Sequence, residues 1–305
     1  MTTTHLALVG PTATGKSGLA LGVADALGDV EIVSIDSMQV YRGLDIGTAK
    51  PTVDERARVP HHMIDVVDPD HEYSVAEFQR AARAAVADIE ARGKRALLVG
   101  GTGLYVQAVV DDLRFPGEDL ALRAELEAWT ATPGGVAAAY AEIEVRDPVA
   151  AARIDPHNAR RIVRALEVMR LTGEPFSSFG PGLAGFGPTA FPVSIAGVWL
   201  PRDVLARRIE ARVAAMRAAG LLDEVERMRS SMSRTANQAI GYKELLGVLD
   251  EGSDVDDAFA TAARRTRSFA RRQRMWFRRD GRITWFGAAE NPCILLPALL
   301  ARWRA

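Results

Sequence analysis

The sequence predicts an α/β protein: a parallel-sheet core that holds phosphate in a glycine loop, interrupted by a helical insertion. Three observations lead there. Short apolar runs alternate with helical stretches through the first 110 residues, and strands separated by helices build a parallel sheet covered on both faces. A Gly-rich loop at residues 10–17 joins the first apolar run to the first helical stretch. From residue 116 to 192 no strand candidate appears, and the pattern is helical and then Gly/Pro-rich.

Taken in order, residues 5–9, 31–35 and 95–99 read as strands, and the stretches to about residue 27 and over 75–92 as helices. Residues 121–129, 136–145 and 155–171 then read as helices, the last amphipathic with Arg on its polar face. A strand returns at 193–200, after the Gly/Pro-rich stretch 176–192. Two long helices at 202–219 and 256–279 and a short strand at 283–286 complete the chain. The expected division is a first core segment at 1–115, a helical insertion at 116–192, and a return to the core with basic helices at 193–305. There is no internal repeat.

Composition narrows the class. Of 305 residues, 48% are apolar and 25% charged, an ordinary globular balance that excludes disordered, collagenous and coiled-coil readings of the whole chain. No apolar run reaches the roughly 18 residues of a membrane span, and the first residues lack the basic segment of a signal peptide. The single cysteine, Cys293, excludes an internal disulfide and a Cys-based metal site and fits a reducing, cytoplasmic compartment. Net charge is −1, but residues 201–305 carry 20 Lys and Arg against 13 Asp and Glu, whereas the first 200 carry 18 against 26. Such asymmetry makes a local positive field on a nearly neutral protein.

Gly10-Pro11-Thr12-Ala13-Thr14-Gly15-Lys16-Ser17 matches G-x-x-x-x-G-K-[ST] between a strand and a helix, the context that the motif requires. The core is therefore P-loop NTPase-like. Glycines let several backbone N–H groups point inward, and the following helix adds the positive end of its dipole. Lys16 brings a point charge to the outer phosphate, and Ser17 can ligate Mg²⁺. The loop itself selects no nucleotide, since any diphosphate can lie in it.

Asp36 ends the second strand, 20 residues after Lys16, on the carboxyl edge of the sheet where ligands bind. It can hold Mg²⁺ through water, accept a proton from a nucleophile, or simply cap a turn. Thr102 stands at a comparable strand end within Gly100-Gly101-Thr102-Gly103, either at a close backbone approach of a ligand or in a plain turn. His61-His62 has no carboxylate at metal-ligand spacing. Arg207, Arg208 and Arg212 either reach the phosphates as a lid does or lie in solvent paired with Glu210.

Between residues 263 and 282 stand nine arginines, among them Arg272 and Arg278, with Asp280 as the only acid. Phe269, Trp276 and Phe277 share one helical face. Nearly unopposed positive charge points to an anionic polymer, and Arg both bridges phosphates and stacks on bases. Arg160, Arg161 and Arg164 form a second basic cluster in the insertion.

These segments together resemble the tRNA dimethylallyltransferase (tRNA isopentenyltransferase) family. The likeness rests on the phosphate loop, Asp36-Ser-Met-Gln-Val-Tyr41, Asp45-Ile-Gly-Thr-Ala-Lys-Pro51, Pro60-His-His-Met-Ile-Asp65, Gly100-Gly-Thr-Gly-Leu-Tyr105 and Asp155-Pro-His-Asn-Ala-Arg-Arg-Ile-Val-Arg-Ala-Leu-Glu167. Gly241-Tyr-Lys-Glu244 and Arg272-Gln-Arg-Met-Trp-Phe-Arg278 complete the set, in family order. Met275 stands where Thr is more usual, and residues 115–144, 176–192 and the tail after Phe286 match loosely.

The resemblance implies transfer of a dimethylallyl group from dimethylallyl diphosphate to N6 of the adenine 3′ of the anticodon in tRNA, with Mg²⁺ assisting. It implies Asp36 as general base, Thr102 beside it and Arg212 on the diphosphate, with Gly10 to Ser17 as the cradle. It implies tRNA contacts at Asp36, Ser37, Met38, Gln39, Thr102, Arg123, Arg160, Arg161, Ile162, Val163 and Arg164, to which the basic block adds Arg272 and Arg278. A monomer in the cytoplasm that acts on the anticodon stem-loop is expected. The rival readings are a small-molecule P-loop kinase, which leaves the Arg-rich helix unexplained, and an adenylate isopentenyltransferase, which needs no polymer surface. A non-catalytic RNA-binding protein is opposed by the intact Lys16, Ser17 and Asp36.

Overall fold

Six parallel strands form one sheet in a computed structural model that describes residues 4–179 and 185–304. They are β1 (His5–Val9), β2 (Val30–Ile35), β3 (His61–His62), β4 (Arg95–Gly100), β5 (Val193–Trp199) and β6 (Thr284–Gly287), in the spatial order β3-β2-β4-β1-β5-β6. β1 is central, with Leu6 opposite Leu97 on one side and opposite Ser194 on the other. Its five residues are all buried, as expected where helices cover both faces. Alternation still sorts them: Leu6 and Leu8 join the cluster containing Leu97, Val99 and Trp303, whereas Ala7 and Val9 join the one containing Phe78, Leu98 and Val109.

The helices of the core are α1 (Lys16–Leu27), α2 (Val53–Arg58), α3 (Val75–Ala91) and α4 (Gly103–Val110) before the insertion. Two of them start at capping boxes, Thr52 with Glu55 and Ser74 with Glu77. The insertion contributes α5 (Leu120–Thr130), α6 (Gly135–Arg146), α7 (Pro148–Ala151) and α8 (Ala159–Thr172). The chain returns through α9 (Arg202–Ala218), α10 (Leu221–Met228), α11 (Tyr242–Glu251), α12 (Val255–Phe277) and α13 (Leu296–Arg304). The predicted strands and long helices appear within a few residues of their expected ends. An addition to them is β3, a two-residue edge strand at the histidine pair, too short to show a strand pattern.

The chain divides into two units. One comprises Met1–Asp111 with Pro188–Ala305, and the other is Asp112–Gly187. The smaller unit has its own apolar core of Leu126, Ile143, Ile162, Val163, Leu166 and Met169. Of the Gly/Pro-rich stretch 176–192, residues 180–184 lie outside the described residues, as do 1–3 and 305. No helix among the described residues is long and apolar enough to cross a membrane.

A segment from the far end of the chain closes over α1. Pro292 lies against the phosphate loop: a Cβ on Gly15, whose φ is +88°, would stand 2.5 Å from Pro292 Cγ. Leu295, Leu299 and Trp303 are buried in the same cluster as Leu19 and Val23 of α1.

Candidate active site

The phosphate loop runs from β1 into α1, as the motif requires. Thr14 is fully buried and its hydroxyl donates to the carbonyl of Pro11 at 2.9 Å. Lys16 Nζ donates to the same carbonyl at 2.5 Å. Ala13 has φ +62°, which a non-Gly residue holds only when its surroundings fix it. Arg208 Nε, from α9, donates to the Ala13 carbonyl at 2.8 Å. Burial, aided by the Arg212 guanidinium and opposed by Asp36, holds the Lys16 ammonium down to about 7 from the usual 10.5.

Two clefts open around this loop, both within the larger unit. The first, of about 640 Å³, is lined by Thr12 to Ser17 apart from Thr14, with Asp36, Gln39, Arg208, Arg212 and Gln273 among its other walls. The second, of about 320 Å³, is lined by Ser37, Met38, Thr102 and Arg272 and by the apolar Ile209, Val213, Met216 and Phe259. They share Thr12, Asp36, Thr48, Arg212 and Phe269. A cationic space around the phosphate loop thus meets a more apolar one at Asp36 and Arg212.

Asp36 is held by the turn that follows β2, accepting from Met38 N–H at 2.9 Å. Gln39 donates to the carbonyls of Thr48 and Ala49 at 3.1 and 3.2 Å and accepts from the Ser34 hydroxyl at 2.7 Å. It ties the strand end to the 45–51 loop, which has two further anchors. The buried Glu224 accepts the N–H groups of Asp45, Ile46 and Gly47 at 3.1, 2.9 and 3.2 Å and the Tyr242 hydroxyl. Lys50, its side chain 2% exposed, sits between Asp45 and Asp65 at 2.7 and 2.5 Å. Burial and the Glu224 carboxylate push the Tyr242 hydroxyl pKa far up, so it stays a donor. Arg212 makes no hydrogen bond or ion pair among the described residues. Burial pulls its pKa down against the pull of Asp36. Thr102 caps α4 without a side-chain hydrogen bond.

Of the three arginines weighed as a lid, Arg208 and Arg212 reach the cleft, whereas Arg207 pairs with Asp203 and Glu290 at 3.0 and 2.9 Å. Glu210, the partner in the alternative reading of these arginines, pairs instead with Arg267 of α12 at 3.0 Å. Arg265 likewise pairs with Glu244, so part of the charge on α12 is opposed from other elements. Arg272 stacks over Phe269 at 5.8 Å, and Arg278 is exposed at the end of the helix. His61 Nδ1 lies 2.7 Å from the Val59 carbonyl and His62 Nε2 lies 2.8 Å from Glu31.

Within the smaller unit, Arg160 and Arg161 are exposed on α8, whereas Ile162 and Val163 are buried in its core. Arg123 makes a bidentate pair with the buried Glu167 at 3.0–3.1 Å. Arg164 adds a bond to Glu167 at 2.9 Å and others to the carbonyls of Pro116 and Gly117 at 2.8 and 3.2 Å. These two arginines hold the entry to α5 against α8. Sequence reasoning missed Gln273 and Glu224, both polar residues buried far along the chain from the loops that they serve. Gln273 alone left a trace, as the uncharged polar residue among the arginines of its motif.

Residues 39–280 match the family model described as IPP transferase. A tRNA dimethylallyltransferase of Bifidobacterium longum is 47% identical over 96% of this chain and 88% of its own length. That of Salinispora tropica is 50% identical over 94% and 89%. Among solved structures, the tRNA isopentenylpyrophosphate transferase of Bacillus halodurans is 39% identical, with a TM-score of 0.72 over 99% of this chain and 95% of that one. A eukaryotic dimethylallyltransferase acting on tRNA is 26% identical, with a TM-score of 0.78 over 94% and 74%. A sheet built around the phosphate loop, two clefts joined at Asp36 and matches along nearly the whole chain agree: this protein belongs to the IPP transferase family.

Proposed function

We infer that this chain is a tRNA dimethylallyltransferase. It moves a dimethylallyl group from dimethylallyl diphosphate to N6 of the adenine 3′ of the anticodon and releases diphosphate. The observation that carries this reading is the junction of the two clefts at Asp36 and Arg212: an anion-binding space on one side, an apolar space beside a basic helix on the other. The relatives named above support the tRNA substrate.

The chemistry follows from the residues. An exocyclic amine is a poor nucleophile because its lone pair is delocalised into the ring. An allylic carbon ionises readily once its leaving group is stabilised. The protein must therefore chiefly hold the departing diphosphate, which the loop N–H groups, Lys16 and Arg212 do where negative charge develops. Asp36 accepts the proton as N6 becomes cationic. The adenine has to leave its stack to reach Asp36, at a cost on the order of a few kcal/mol. Arginine contacts to tRNA phosphates offset that cost, from Arg272 and Arg278 on α12 and from the exposed Arg160 and Arg161 of the smaller unit.

Mg²⁺ fits this donor set. The Ser17 hydroxyl makes no hydrogen bond among the described residues, and Ser17 and Asp36 line the same cleft. No group of three His, Cys, Asp or Glu side chains among the described residues could hold a metal by itself. That suits an ion that keeps several waters and takes one or two protein oxygens together with phosphates. Mg²⁺ would neutralise charge on the diphosphate.

The reading includes a monomer in the cytoplasm. The tRNA substrate is what supports the compartment. The decisive experiment is incubation with labelled dimethylallyl diphosphate and unmodified tRNA, with AMP and ATP as competing acceptors. Label is expected in tRNA at the adenosine 3′ of the anticodon. Label on AMP refutes the polymer substrate, and phosphoryl transfer from ATP refutes prenyl chemistry.

A further inference from the structure

Gln273 lies on α12 amid the arginines, yet it is 5% exposed and lines the larger cleft. Its Oε1 accepts from Thr12 N–H of the phosphate loop at 2.8 Å, across 261 residues of sequence. A backbone N–H can only donate, so the oxygen of the amide must face Thr12 and the nitrogen must face away. The other side of the amide has no hydrogen-bond partner among the described residues. It stands over Gly101, where an added Cβ would come within 2.5 Å of Nε2 and 3.1 Å of the Gly10 carbonyl. Any side chain at position 101 would displace it.

With the oxygen fixed on Thr12, the amide N–H groups are open to the cleft, where they can donate to a ligand in place of water. Gln273 borders the cleft that holds the cradle and not the one that holds Thr102 and Arg272. The acceptor is therefore on the diphosphate side. Resting on the function proposed above, we propose that Gln273 is a further catalytic residue whose Nε2 donates to an oxygen of the leaving diphosphate. As the allylic C–O bond breaks, its electron pair passes to that diphosphate. The new C–N6 bond forms and the N6 proton goes to Asp36. Gln273 keeps its own protons and stabilises the charge that has moved.

Two variants separate this role from mere support of the loop. Glu at 273 keeps an acceptor for Thr12 N–H but loses the donor and adds an anion. Leu loses both. Binding of inorganic diphosphate and of tRNA is measured by calorimetry, together with kcat and KM for dimethylallyl diphosphate. Gln273→Glu is expected to weaken diphosphate binding by more than about tenfold, Gln273→Leu by about tenfold, the scale of one hydrogen bond to a charged group. Affinity for tRNA should stay within twofold in both. Wild-type behaviour of Gln273→Glu would overturn the proposal, since the bond to Thr12 would then be the whole role. Intact diphosphate binding with weakened tRNA binding would overturn it too. If Gln273→Leu does not fold, Gln273→Glu decides alone. A wild-type protein that transfers no dimethylallyl group to tRNA would instead defeat the function on which the proposal rests.

Discussion

Arg208 Nε and the Ala13 carbonyl meet at 2.8 Å, so a helix from the second half of the chain grips the left-handed residue of the phosphate loop. An Ala at φ +62° costs on the order of 1 kcal/mol relative to an ordinary conformation. This bond is one of the interactions that hold it there. A contact within the protein thus supports the loop conformation, so the ligand need not supply all of that cost.

Arg208→Met keeps the stem of the side chain and removes the bond. Affinity for dimethylallyl diphosphate should fall about tenfold, with tRNA binding within twofold. Titration of the variant with diphosphate checks this, and unchanged affinity would show that the loop keeps its shape unaided.

Asp36→Asn retains a side-chain oxygen for Met38 N–H, so the turn should survive. Turnover should drop about 100- to 10,000-fold, the range for loss of a positioned proton acceptor, while the tRNA dissociation constant changes less than threefold. Parallel losses in kcat and tRNA affinity would speak against proton acceptance by Asp36.

Lys16, depressed to about 7, gives the unliganded protein a pH signature. Above pH 7 the folded protein has released a proton that the unfolded chain keeps until about 10.5. The unfolded state therefore binds more protons in that window, and stability contributed by this group rises with pH. Diphosphate binding runs the other way, because a bound anion favours the protonated form of Lys16. Calorimetry at pH 8.5 in buffers of different ionisation enthalpy should show proton uptake on binding diphosphate. Lys16→Met should abolish the uptake, and equal heats in both buffers for the wild type would contradict it.

Arg272→Ala and Arg278→Ala should each weaken tRNA binding and flatten its dependence on log salt by about 0.7–0.9 for every phosphate that is no longer neutralised. Affinity for dimethylallyl diphosphate should hold. A salt dependence identical to wild type would assign these arginines to the protein surface alone.

Much of this was legible in the sequence because the signals were local. The phosphate loop, Asp36 and Thr102 each follow a short apolar strand, so parallel topology alone places them on one edge. The period of α8 is equally local. The histidine pair shows the limit: two residues are too few for any period, and β3 exists only because Ile32 and Val33 offer it an edge. Apart from Gln273, long-range partners left no trace. Glu224 gives no hint in sequence that its carboxylate collects three N–H groups some 178 residues away. Arg265 and Arg267 look unopposed until folding brings Glu244 and Glu210 beside them. Arg164 reads as part of a basic cluster and the resemblance assigns Arg123 to tRNA, yet both are bonded to Glu167.

The tail that lies on Gly15 matters for synthesis. Pro292, Leu295, Leu299 and Trp303 are translated long after the phosphate loop, yet they finish the wall behind the cradle. A nascent chain still short of them carries every residue of the phosphate loop and Asp36 without this part of the loop's support. A nonsense codon just before Pro292 should thus be as damaging as one far upstream.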